Sequence, residues 1–130
     1  MPNEQLDGTA LMASLTAADI QKSLAWYRDV FGFSVNREFA REGKLMAVSL
    51  RAGTVGILLT QDDGAKGRDR PKGEGFSLQI TTTQDIDALA EGIKARGGTL
   101  VSEPEDTRFG ARVFRLQDPD GFRFTISSAR

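Results

Sequence analysis

The chain passes twice through one order of elements, and that repetition narrows its possible folds more than any other feature. Residues 11–16 (LMASLT) read as a strand. Asp19 then opens a helical pattern in which Ile20, Leu24, Tyr27 and Phe31 share one face, and Gly32 is its stop. Extended segments are expected at 34–39, 45–50 and 55–60, with turns at Glu42-Gly43-Lys44 and Ala52-Gly53-Thr54 between them. The second pass has a strand at 76–81 and a helix opened by Asp85, with Ile86, Leu89, Ala90 and Ile93 on one face. Gly97-Gly98 ends it, and extended segments follow at 99–102, 111–116 and 122–127. Asp118-Pro119-Asp120-Gly121 joins the last two, its Pro and Gly placed as a type I turn wants them. An Asp at each helix start satisfies free amides and suits the helix dipole. It precedes its glycine by 13 residues in the first copy and 12 in the second.

This pattern predicts one α+β domain over residues 1–130, made of two βαβββ modules at about 10–61 and 76–128. Residues 62–75 (DDGAKGRDRPKGEG) are charged and Gly-rich, and read as an exposed linker.

Composition then removes much chemistry. With no cysteine and no histidine, the chain has no disulfide, no thiol nucleophile, no thiolate metal site, no Ser-His-Asp triad and no imidazole base. Lys plus Arg is 17 and Asp plus Glu is 18, so nothing draws the chain to nucleic acid as a basic patch would. No apolar run approaches the roughly 20 residues that cross a bilayer, and residues 1–9 have no apolar signal core. A cytoplasmic protein without a membrane partner is expected.

Several fragments are similar to motifs of one family. Ala18-Asp19-Ile20, Ser23-Leu24-Ala25-Trp26-Tyr27 and Val30-Phe31-Gly32-Phe33 resemble the opening pattern of the vicinal-oxygen-chelate superfamily: glyoxalases, bleomycin-resistance proteins and extradiol dioxygenases. Asp85-Ile86-Asp87-Ala88-Leu89 with Arg96-Gly97-Gly98 looks like its second helix. The run from Phe109 to Phe114 and the 118–121 turn resemble its closing hairpin. The resemblance spans residues 11–128. It implies that the two modules form an eight-stranded open cup with helices on its convex side, that the protein is a homodimer, and that the cup of a typical member holds a divalent metal.

The positions that the resemblance assigns to the metal carry Met12, Ser77 (or Gln79) and Thr125. Gln61 is the one residue near the end of the first module that could coordinate. Neutral oxygens and a thioether hold a hard divalent ion poorly, so neither metal nor other cofactor is expected. The leading expectation is a metal-independent small-molecule-binding protein of the glyoxalase/bleomycin-resistance type, such as one that sequesters an antibiotic. The alternatives are a lyase, isomerase or dioxygenase with an atypical site, and a protein-docking subunit.

Strand alternation suggests the cup lining. Arg123, Thr125 and Ser127 should face the cup, with Phe124 and Ile126 toward the helices. Ser77, Gln79 and Thr81 oppose Leu78 and Ile80, and Met12, Ser14 and Thr16 oppose Ala13 and Leu15. The candidate ligand-binding residues are therefore Met12, Ser14, Ser77, Gln79, Arg115, Arg123 and Thr125, with Phe109 as a stacking platform or a core or dimer contact. Arg115 and Arg123 read equally as solvated edge residues. Gln79 and Arg123 are the preferred polar grip. Trp26 and Tyr27 read as packing residues. The carboxylates at Glu38, Glu42, Glu103 and Glu105 are the remaining acids or bases, with Glu103-Pro104-Glu105 read as a solvated loop.

Overall fold

The computed structural model describes residues 4–65 and 72–129. The first copy comprises β1 (Met12–Ala17), α1 (Ile20–Ala25), β2 (Ser34–Arg41), β3 (Lys44–Ala52) and β4 (Val55–Gln61). The second comprises β5 (Leu78–Thr82), α2 (Ile86–Ala95), β6 (Leu100–Asp106), β7 (Arg112–Gln117) and β8 (Arg123–Ser128). They form two four-stranded sheets, ordered β1-β4-β3-β2 and β5-β8-β7-β6. The first and last strands of each copy are parallel, and the other pairings are antiparallel. The α+β plan of two βαβββ copies is thus what the chain adopts.

The local signals act as their chemistry requires. The Asp19 carboxylate accepts from the amides of Gln21 and Lys22, and that of Asp85 from Ala88. The first helix does not end at Ala25 but widens into a π-helical turn over Trp26–Phe31. The turn closes on Gly32, at φ 102°, with the amides of Gly32 and Phe33 both donating to the Tyr27 carbonyl. A left-handed residue at this stop suits glycine. Trp26 packs within the turn, 4.9 Å from the Tyr27 ring and 5.3 Å from that of Phe31.

One core joins the copies. Leu50, Leu59 and Leu15 from the first sheet, Phe114, Phe124 and Ile126 from the second, and the apolar stripes of both helices bury together. The helix-covered faces of both sheets turn toward this core, so each sheet's other face points away from it.

Three expectations are corrected. The strand read at 76–81 begins at Leu78, leaving Phe76 and Ser77 exposed ahead of it. Glu103-Pro104-Glu105 is not a loop but lies within β6. That strand is an edge, and its register with β7 shifts between Ser102 and Glu105. An edge or a bulge is where a sheet tolerates a proline that cannot donate.

The third correction concerns the linker. Residues 66–71 of it lie outside the described residues; of the flanking ends, Asp63, Ala65, Glu74 and Gly75 are exposed as expected, but Asp62 and Gly73 are buried. Asp62 is buried, and the Lys72 side chain, 4% exposed, brings its ammonium 3.3 Å from the Asp62 carboxylate and 4.0 Å from that of Asp120. Gly73 presses so close to the 118–121 turn that a Cβ would lie 2.7 Å from the Gly121 carbonyl oxygen. Charge alone does not keep a segment in water when the partner charge is buried with it.

The same turn reaches back to the first copy. The Asp120 carboxylate accepts from the Ala18 amide (3.0 Å) and the Ser23 hydroxyl (3.1 Å), and Asp118 accepts from the Tyr27 hydroxyl (2.8 Å) and the Asp120 and Phe122 amides. Burial pushes the Asp118 carboxyl above the ordinary carboxylate range, against the pull of the Tyr27 hydroxyl and the two amides. The folded state therefore holds that proton more tightly than the unfolded chain. Its contribution to stability is full below the ordinary carboxylate pKa and is lost as pH rises through the raised value. Denaturant titrations of wild type and Asp118→Asn from about pH 3 to about pH 7 should show the wild type gaining on the variant as pH falls. A difference between the two that does not change with pH would refute this assignment.

Candidate ligand-binding faces

Register fixes what the outward faces carry, because paired residues on neighbouring strands point the same way. On the second sheet Gln79, Thr125 and Arg115 form one row across β5, β8 and β7. Arg123 lies opposite Gln117 one step along the same face. On the first sheet Ser14, Leu58, Ser49 and Arg37 form a row, and Met12, Gly56 and Arg51 form the next. Met12 is 52% exposed and lies over Gly56, its Cε 3.3 Å from where a Cβ would stand there.

The alternation read from sequence therefore puts most candidates on the outward faces. Gln79, Thr125, Arg115 and Arg123 gather on one sheet, and Met12 and Ser14 on the other. Ser127 shares the outward face but is buried. Ser77 precedes β5 and belongs to no row. Phe109, 72% exposed, sits at the tip of the β6–β7 hairpin, beyond the Asp106–Arg112 pair, with Arg108 over its ring at 5.3 Å.

Arg37 and Arg51 were not among the expected site residues. Arg51 follows directly from alternation, since Leu50 is fully buried. Arg37 does not, because the register slips between Val35 and Arg37. That bulge brings Asn36 to hydrogen-bond Ser49, 3.4 Å away, and leaves Arg37 on the outward face with its guanidinium 5.1 Å from the Phe39 ring.

The candidate acids and bases are engaged or turned away. Glu38 pairs opposite Val48, on the helix-covered side. Glu103 binds Lys94 at 2.9 Å, and Glu105 binds Arg115 at 3.3 Å. Glu42 lies in the β2–β3 turn at φ 52°. Tyr27 is fully buried, and burial together with Asp118 holds its phenol protonated well above its usual range.

The side chains at the metal positions do not make a set of hard ligands. The Gln61 amide accepts from the Ile20 amide (2.9 Å) and donates to the Ala18 carbonyl (2.8 Å), closing the β4 end onto the helix start. That leaves Met12, Gln79 and Thr125, a thioether and neutral oxygens, which do not fit a hard divalent ion. Among the described residues no three or more carboxylates group as metal ligands would, and no helix is long and apolar enough to cross a membrane. A cleft of about 830 Å³ opens away from the outward faces, on the helix side, beside Phe31, Phe33, Ile80, Leu89 and Arg96.

The chain is similar to known proteins along most of its length. A lactoylglutathione lyase of Arabidopsis thaliana is 27% identical over 114 residues, 83% of this chain and 40% of that protein. The chain thus spans about two-fifths of the length of the plant relatives it matches. A probable lactoylglutathione lyase of Synechocystis is 27% identical over 128 residues, covering 89% of this chain and 92% of that one. A solved superfamily member from Sphaerobacter thermophilus superposes with a TM-score of 0.75 at 22% identity, over 94% of this chain and 98% of its own, and shows the shared fold. The family description "Glyoxalase/Bleomycin resistance protein/Dioxygenase superfamily" matches residues 9–126, so the chain belongs to that superfamily.

Proposed function

We propose that this chain is a metal-independent binding protein for a small organic molecule, of the kind that sequesters its ligand. One observation supports the reading: the outward faces carry Met12, Gln79 and Thr125 at positions that the family resemblance assigns to metal ligands. These are apolar or hydrogen-bonding groups, and they grip a ligand's own atoms rather than an ion. We also propose that the protein works as a homodimer. Each outward face turns from the chain's own core, so a ligand there would be covered by one sheet until a second copy supplies the other.

Zinc, nickel and manganese offered to purified protein are expected to wash away on desalting and to move the melting temperature by no more than about a degree. A bound metal at a hundred times its Kd would stabilise the fold by about 2.7 kcal/mol, a shift of several degrees. Stoichiometric metal with such a shift would overturn the metal-independent reading.

The relatives' names favour a second reading, a lyase. It predicts turnover of the glutathione–methylglyoxal adduct, with or without nickel or zinc. Its difficulty is that, among the described residues, neither outward face carries an unpaired acid or base.

A further inference from the structure

We propose that the ligand of the outward faces is an organic anion, a carboxylate-, sulfonate- or phosphate-bearing molecule with a flat apolar body. This rests on the reading that these faces bind a small molecule, and adds its charge and chemical class.

Register places five guanidinium groups on these faces: Arg37, Arg41 and Arg51 on the first sheet, Arg115 and Arg123 on the second. The strands supply one carboxylate in return, Glu105. General basicity does not account for this, since the chain carries a net charge of -1. Positive charge has been sorted onto these faces.

The arginines away from these faces show the contrast. Arg28 pairs with Asp29 at 2.9 Å. Arg112 is held by Asp87 at 2.8 Å and Asp106 at 3.1 Å, and Arg96 donates twice to the Val30 carbonyl. On the outward faces only Arg115 has a carboxylate partner; among the described residues Arg37, Arg41, Arg51 and Arg123 form no ion pair.

Their spacing adds to the argument. Arg51 lies opposite Ser34 and Arg37 opposite Ser49, so the two are diagonal neighbours across β2 and β3. Arg115 lies opposite Thr125 and Arg123 opposite Gln117, diagonal neighbours across β7 and β8. Like charges this close destabilise a sheet, and an anion bridging them turns that repulsion into two charge-assisted forks. The apolar part of the ligand has its own surface in Leu58, Met12 and the half-exposed Phe39 ring.

The test uses three dyes of similar size: anilinonaphthalene sulfonate, the uncharged phenylnaphthylamine, and the cation proflavine. The sulfonate is expected to bind saturably, about tenfold or more tighter than the uncharged amine, and more weakly as salt is raised. The double variants Arg37→Gln/Arg51→Gln and Arg115→Gln/Arg123→Gln are read separately. At least one should weaken the sulfonate about tenfold, leaving the amine and the melting temperature unchanged. Arg28→Gln, at the helix-side cleft, should leave the sulfonate unaffected; loss of binding there would place the anion in the cleft and overturn the proposal. Equal or tighter binding of the amine or proflavine, weakened by Gln79→Ala, would overturn the anion but keep the binding reading. If no dye binds, both fall.

Discussion

Replacing Lys72 by methionine is expected to cost about 3–5 kcal/mol of folding stability. The ammonium is buried with the carboxylates of Asp62 and Asp120. Methionine fills similar space but supplies no charge, so both carboxylates would lose this cation while staying largely buried. Breaking one side of a buried ion pair costs far more than the pair's net worth, because the remaining charge keeps its desolvation penalty. Adding Asp62→Asn should therefore recover a large part of the loss. The asparagine carbonyl can still accept the Gly64 amide that Asp62 now accepts at 2.8 Å. Chemical denaturation of the wild type, the single variant and the double variant measures all three. A single variant as stable as wild type would mean that the Lys72 end of the linker is not docked in solution.

The second large effect is expected from Phe124→Ala, at about 3–5 kcal/mol. Phe124 belongs to the last strand, yet its ring meets two rings of the first copy, Tyr27 at 6.0 Å and Phe31 at 5.2 Å, both edge-on. It is 1% exposed, so its removal opens a void at the junction of the two copies. Phe76→Ala is the internal control: that ring also lies near another, Phe122 at 6.1 Å, but it is exposed. It should cost no more than about 1 kcal/mol. Equal losses in the two variants would show that the aromatic junction does not hold the copies together.

Most of the fold was legible because its signals are local. The helix stripe at Ile20, Leu24 and Tyr27 and the capping aspartates each depend on residues within a turn or two. Alternation in β1, β5 and β8 is local in the same way, and the register puts Met12, Ser14, Gln79, Arg123 and Thr125 on the outward faces, while Ser77 falls ahead of its strand. What escaped depends on partners distant in sequence. Asp62 and Lys72 look like linker charges until Asp120 is brought to them. Pro104 looks like a loop residue until its strand proves to be an edge. Arg37 was hidden because a bulge breaks the period-two pattern from which facing is read. Gln61, the one candidate near the first module's end, is spent on closing that module, and no neighbouring residue announces it.

The contacts made by the 118–121 turn also bear on the order in which the chain can become a protein. Ala18, Ser23 and Tyr27 find their partners 102, 97 and 91 positions later. While the chain leaves the ribosome, the first half is complete long before these partners exist. Its Tyr27 and Ser23 hydroxyls must stay in water or in provisional contacts until the final hairpin emerges. Closure waits until the 118–121 turn has been made, and such distant pairings are slow to form. The two repeats, alike as they are in plan, are therefore expected to become structured together rather than one after the other.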